Sequence, residues 1–447
     1  MARFLSRRTA PVGVVLATIA AGALGCGSDS ASPDAADERG TRLGSQRAAV
    51  VGAEPSGSED DFVLYLRQIG ATDIACGATL IAPNLVVTAK HCLHVATADV
   101  GTRCDATGEP TLEDENGYLK TRRLAPSELA FHGGFDGKKR FDEQGAAPDA
   151  RGKAIIDDKT LTRCSHDFAY VVLDKPLTTL PIAKLRLGAR PVEGAMIAVA
   201  GWGQVEGRII PKIRQRRTNI PILRVGPAVV PPNPTGTLGP RTFESGPGAC
   251  TRDSGGPAFD LETGTVLGVI SRALNTDPDD PVSPCLPATV NIVYMTIADS
   301  PNELRQAFAA AGAKPWLEGR GAPGFIPFGE VCSADLECEG GLCAGASAGS
   351  KGTCNVDCKK PVGGAALACP AGYTCAAAGG CIVTPDAPPP VPTTEPAPQT
   401  PQDVPDSQAA GCSSSPRSVV GSSGWILVLL TACVGALGRR RIARARA

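Results

Sequence analysis

The run Asp253-Ser254-Gly255-Gly256-Pro257 decides how this 447-residue chain is read. A serine held between an aspartate and two glycines stands ahead of a strand pair, with Val266-Leu267-Gly268-Val269-Ile270 as its apolar run. Lacking Cβ atoms, the glycines let the backbone turn tightly and come close to a substrate. A serine hydroxyl attacks a peptide carbonyl only with a base to take its proton and a group fixing that base's tautomer and orientation. Candidates for both lie upstream. Thr88-Ala89-Lys90-His91-Cys92 follows Leu85-Val86-Val87, and Asp167 opens Asp167-Phe168-Ala169-Tyr170-Val171-Val172-Leu173. Ser254, His91 and Asp167 all fall at strand ends or in loops.

From about Val50 to Leu317 the chain is a series of short apolar runs, among them Phe62 to Leu66, Met196 to Ala200 and Val290 to Thr296. They are rich in β-branched residues and punctuated by Gly and Pro, the pattern of an all-β barrel or sandwich. Glu303 to Ala311 reads as an amphipathic helix that closes the unit. The three reactive segments resemble the TAAHC, DIALL and GDSGGP motifs of the chymotrypsin (trypsin-like) serine proteases, in that family's order and at similar separations. Val50-Val51-Gly52-Ala53 resembles its mature N-terminal IVGG, Ala200-Gly201-Trp202-Gly203 its internal GWG, and Val269-Ile270-Ser271 the strand lining its cleft. The resemblance implies two six-stranded antiparallel β-barrels and a C-terminal helix over residues 50–320.

It also implies roles. Ser254 is the nucleophile, His91 the proton carrier, and Asp167 the group that holds the imidazole, supported by Ser271. The backbone N–H groups of Arg252 and Ser254 form the oxyanion hole. Asp253 pairs with the amine of Val50 once a propeptide is removed. Arg47 is out of register with Val50, so a trypsin-like activating cut is not expected, and another protease or autoprocessing is implied. Cys76 with Cys92, and Cys250 with Cys285, match family disulfides, which leaves Cys104 and Cys164 to pair. Arg252 departs from the family's Gly; if the position needs φ > 0, a side chain costs about 1–2 kcal/mol. Gly248 aligns with the floor of the substrate pocket and Ala273 and Ile292 with its walls. A neutral, narrow pocket implies cleavage after small aliphatic residues rather than Arg or Lys. His94, His132 and His166 lack the motif context and read as surface or loop side chains. The acidic run Glu113-Asp114-Glu115 reads as a solvated loop rather than a Ca²⁺ site, and no metal or cofactor is expected.

The remaining segments speak to location. Forty-four basic and 45 acidic residues leave no global field to draw in nucleic acid. Residues 1–26 read as a signal peptide, and Ala23-Leu24-Gly25-Cys26 resembles a bacterial lipobox that would lipidate Cys26, with ordinary cleavage nearby as the alternative. Seventeen cysteines in an exported chain imply disulfides. Residues 27–49 are a polar tether or propeptide. Residues 332–381 hold eight cysteines and almost no large apolar residues, so four disulfides of unspecified pairing are expected to staple a small module. Residues 384–410 are a Pro-rich spacer. In 411–447, Cys412 precedes the apolar run Val419 to Leu437 and an Arg cluster, which resembles a myxobacterial C-terminal sorting tail; a plain transmembrane anchor is the alternative. The chain thus reads as an exported peptidase at the cell surface, in the outer envelope or outside the cell. Its partners are protein or peptide substrates, the envelope through its termini, and a sorting protease acting on the tail. Two rival readings are a catalytically silent homologue serving as a surface binding protein, and a Cys-rich module that carries the function itself.

Overall fold

The computed structural model describes residues 53–70, 75–95, 104–111, 119, 121–204, 209–229, 237–275, 290–347, 349–359 and 367–384. The signal, tether, acidic loop, most of the spacer and the tail lie outside the described residues.

Twelve strands make two closed barrels. The first uses β1 (Val63–Gln68), β2 (Ala75–Ala82), β3 (Leu85–Thr88), β4 (Leu129–His132), β5 (Ala150–Ile156) and β6 (Ala169–Leu173), hydrogen-bonded in the order β1-β2-β3-β6-β5-β4. The second uses β7 (Met196–Gly201), β8 (Gln215–Val225), β9 (Thr242–Ser245), β10 (Pro257–Asp260), β11 (Val266–Asn275) and β12 (Val290–Thr296), in the order β7-β8-β9-β12-β11-β10. The second order repeats the first six strands later, and all pairs are antiparallel. The all-β, two-barrel fold expected from the sequence is the one found.

Each apolar run named between Val50 and Leu317 is a strand because it buries a face. β3 is buried at all four residues and β6 at all five. Leu64, Leu66, Leu80 and Phe131 fill the first barrel, while Ile197, Ile220, Phe243 and Tyr294 fill the second. Two helices join them: α1 (Gly137–Gln144) and α2 (Pro301–Ala311). Helix α2 has Pro301 in its first turn and ends on Gly312 at φ +60°, the left-handed stop that glycine favours. Its buried Leu304, Ala307 and Phe308 are spaced i, i+3, i+4, and they press one face onto the barrels.

The Cys-rich segment packs against the same unit. Its disulfides are Cys332–Cys343, Cys338–Cys354, Cys358–Cys375 and Cys369–Cys381. Arg305 of α2 donates to the carbonyls of Leu336 (3.3 Å), Cys338 and Glu339 (3.2 Å), and its guanidinium lies 4.4 Å from the Phe325 ring centre.

Candidate active site

Strand pairing brings His91 and Asp167 together. β3 and β6 are antiparallel neighbours, with Thr88 opposite Ala169. His91 lies three residues past the end of β3 and Asp167 two before the start of β6, so both emerge from the same barrel end. The His91 ring Nδ1 is 2.8 Å from Asp167 Oδ2, and the His91 backbone N–H donates to Oδ1 at 2.8 Å. From the second barrel, Ser271 Oγ donates to Oδ2 at 2.7 Å. Asp167 is wholly buried, which works to raise its pKa, but the His91 charge and these hydrogen bonds hold it well below the usual carboxylate range. An ionised carboxylate accepts only, so in the neutral ring Nδ1 carries the proton and Nε2 is the acceptor nitrogen.

Ser254 comes from the loop before β10. Its carbonyl accepts from Gly77 N–H at 2.7 Å, and that of Gly77 accepts from Thr88 Oγ1 at 2.8 Å, which ties the serine loop to the strand ahead of His91. Gly255 sits at φ +85°, where a Cβ would run into Thr88 Oγ1 and the Gly77 carbonyl. Here glycine is required on both counts. Ser254 is half-buried, and among the described residues its hydroxyl and His91 Nε2 form no hydrogen bond, a contact often loose without substrate.

Arg252 has φ +83°, so a side chain occupies the left-handed region the sequence left conditional. Next to it, Asp253 is buried and accepts from the Gly203 N–H (2.6 Å) and the Cys250 N–H (3.0 Å). Burial pushes its carboxyl up to about 6, against the pull of those two donors. A small cavity of about 10 Å³, lined among others by Ala53, Gly201, Gly203, Arg217 and Gly248, opens beside the carboxylate. Val50 is outside the described residues, but Ala53, three residues on, is in that cavity's wall.

Gly248 is buried against Ile220, into which a Cβ would run. Ala273 and Ile292 face each other across β11 and β12. Ile292 is buried in one cluster with Ile220, Ala249 and Val290, and Ala273 packs on it. Cys76–Cys92 and Cys104–Cys164 are disulfides; Cys250 is disulfide-bonded, while Cys285 lies outside the described residues.

Two histidines correct the sequence reading. His94 and His132 are buried rather than on the surface, 5% and 1% exposed. His94 Nδ1 binds the Thr121 carbonyl at 3.1 Å, and His132 sits on β4 between Tyr65 and Phe141, its pKa pushed down to about 4 by burial. The third, His166, lies 2.5 Å from Asp158 through Nδ1. The residues preceding His91 and Asp167 therefore contribute contacts that sequence reasoning missed; its one signal was Lys90, where the family motif has Ala.

A family model described as Trypsin matches residues 51–290. Among curated proteins, the chain is 25% identical over 276 residues to thrombin-like enzyme acutobin of Deinagkistrodon acutus, covering 59% of this chain and 89% of that protein. It is 30% identical over 222 residues to snake venom serine protease 2B of Craspedocephalus gramineus, covering 48% and 73%. It is also 26% identical over 211 residues to the vitellin-degrading protease of Bombyx mori, covering 45% and 67%.

Proposed function

The chain belongs to the trypsin family of serine-type hydrolases, and from that premise we propose that it is an exported endopeptidase in which Ser254 attacks the peptide carbonyl, His91 takes and returns the proton, and Asp167 holds the imidazole. One observation carries the reading: the buried Asp167 carboxylate engages His91 Nδ1 at 2.8 Å while Ser271 holds the same oxygen at 2.7 Å. Nε2 is thereby left as the base, and the tetrahedral oxyanion is met by the N–H groups of Arg252 and Ser254. Removing one such donor costs about 100- to 1000-fold in rate.

Specificity follows from the pocket aligned on Gly248, Ala273 and Ile292. A substrate Arg or Lys would bury a cation with no carboxylate on the floor, a penalty of several kcal/mol by order of magnitude. An aliphatic group instead recovers about 0.8 kcal/mol per buried CH₂. Ile292 narrows the pocket against aromatic rings, so Ala or Val is the preferred residue before the cut. Export rests on the first 26 residues, and surface attachment on Cys26, or on Cys412 with the tail that follows it. Activation requires a cut before Val50.

Arg252 favours a second reading, the catalytically silent homologue. One experiment separates the two. Separate samples of mature protein are treated with an organophosphonate serine probe or given peptides differing only in the residue before the cut, with Ser254→Ala in parallel. The expected result is labelling at Ser254, hydrolysis favouring Ala and Val over Arg, Lys, Phe and Tyr in kcat/KM, and neither in Ser254→Ala. Absent labelling of the wild type supports the silent homologue. A strong preference for Arg overturns the pocket alignment alone.

A further inference from the structure

Lys90 and His166 stand immediately before His91 and Asp167, and one carboxylate joins them. The Lys90 ammonium, 1% exposed, pairs with Asp158 Oδ1 and also donates to Thr160 Oγ1 (3.0 Å) and the Thr160 carbonyl (3.3 Å). Asp158 Oδ2 faces His166 Nδ1 at 2.5 Å, and Arg241, reaching over from the second barrel, lies 3.9 Å from that oxygen. Arg241 also stacks 4.6 Å from the Phe168 ring centre, on the residue after Asp167. Beside the His91–Asp167 hydrogen bond thus runs a second bridge, one residue earlier on each strand end. Three of the five non-glycine residues at positive φ among the described residues belong to it or flank it: Lys159 (φ 62°), Ser165 (φ 56°) and Arg241 (φ 66°). Backbone in such regions persists only where the surroundings over-determine it.

We propose that Asp158 is a positioning residue for the catalytic pair. Resting on the reading of His91 and Asp167 above, it holds the His91 turn through Lys90 and the approach to Asp167 through His166, so that ring and carboxylate meet at bonding distance. A buried ammonium needs a charged partner in any case. The inference is that this partner also reaches the residue before Asp167, which a bridge serving stability alone has no need to do.

The test uses the mature full chain, Asp158→Asn, and the double variant Lys90→Met with Asp158→Leu, with the exposed Arg122→Gln as control. The double variant removes the two buried charges of the Lys90–Asp158 pair together and leaves only the half-buried Arg241 and His166 without this carboxylate, so its Tm returns part of the way toward wild type while the bridge stays broken. Displacing a catalytic group by about 1 Å costs on the order of 100-fold, so kcat is expected to fall about 10- to 100-fold in both variants. KM should stay within about twofold, because substrate binding is untouched. The strongly downfield proton signal of His91 Nδ1–H should broaden or move upfield in both and be unchanged in Arg122→Gln. Recovery of kcat together with Tm in the double variant overturns the proposal, as does an unshifted proton signal. The proton signal does not require turnover. If the wild type neither cleaves nor labels, the protease reading fails, and the signal still decides whether Asp158 positions the pair.

Discussion

A side chain at φ +83° strains the backbone, and Arg252 carries one directly ahead of Asp253 and Ser254. The left-handed region costs a non-glycine residue about 1–2 kcal/mol. Glycine there would relieve the strain but lose about 0.4–1 kcal/mol through a freer unfolded chain. Arg252→Gly is therefore expected to stabilise the protein by up to about 1.6 kcal/mol, read as a higher denaturant midpoint at unchanged slope. Because the N–H proposed to face the oxyanion is the same in both, kcat should not fall. A lower midpoint, or a loss of kcat, would mean that the Arg252 side chain makes contacts that outweigh the strain. Strain retained next to a nucleophile is common at functional sites, and here it is a property of one residue.

Elements are held together by groups that composition does not reveal. Arg214, 0% exposed, sits just before β8 and donates to Ser56 Oγ (3.0 Å), the Val63 carbonyl (3.2 Å), the Gly57 carbonyl (2.5 Å) and Asp61 (3.0 Å). It thereby fastens the segment before β1 to the second barrel. Arg214→Met removes the cation and leaves those acceptors buried, so stability should drop by about 3–5 kcal/mol. Arg122, in an exposed pair with Glu128, gives the contrast: Arg122→Gln should leave the midpoint where it was. Equal effects of the two would show that burial is not what makes Arg214 matter. The same distinction explains what the sequence could and could not disclose. β3, β6 and β12 read as strands because both faces are buried and the runs are apolar. β8 opens Gln215-Arg216-Arg217 with half-buried side chains, and no periodicity marks it. Helix α1 is polar throughout except Phe141, so nothing signalled it. The candidate reactive residues were legible because each sits in a short motif of neighbours in the chain. Asp158 and the buried His132 take their meaning from residues distant in sequence, and a linear reading has no access to those.

At the scale of the whole molecule, Ala53 and the serine loop both line the cavity beside Asp253, and that cavity has a pH signature. Among the described residues only backbone N–H groups satisfy this carboxylate, and burial holds its pKa at about 6 against an ordinary value near 3.8. A folded value above the unfolded one means the folded chain binds more protons between about pH 4 and 6. That contribution is complete below about pH 4 and is lost as the pH rises to about 6; at about 1.4 kcal/mol per pKa unit it amounts to some 3 kcal/mol. If a cut before Val50 delivers an amine to the cavity, the carboxylate gains a cation and its pKa falls below the ordinary value. Its contribution then reverses, being present above that value and lost only in stronger acid. The gap in stability between cut and uncut chains should accordingly widen from pH 4 to 6. It should narrow again above about pH 8, where the amine of the unfolded chain gives up its proton while the paired one keeps it. His132, held down at about 4, loses stability as pH falls from about 6.5, but it does so in both forms and cancels from the difference. The measurement is the denaturant midpoint of both forms from pH 4 to 9, in the Ser254→Ala background so that neither processes itself. A gap that does not change with pH would mean that the new amine does not reach Asp253.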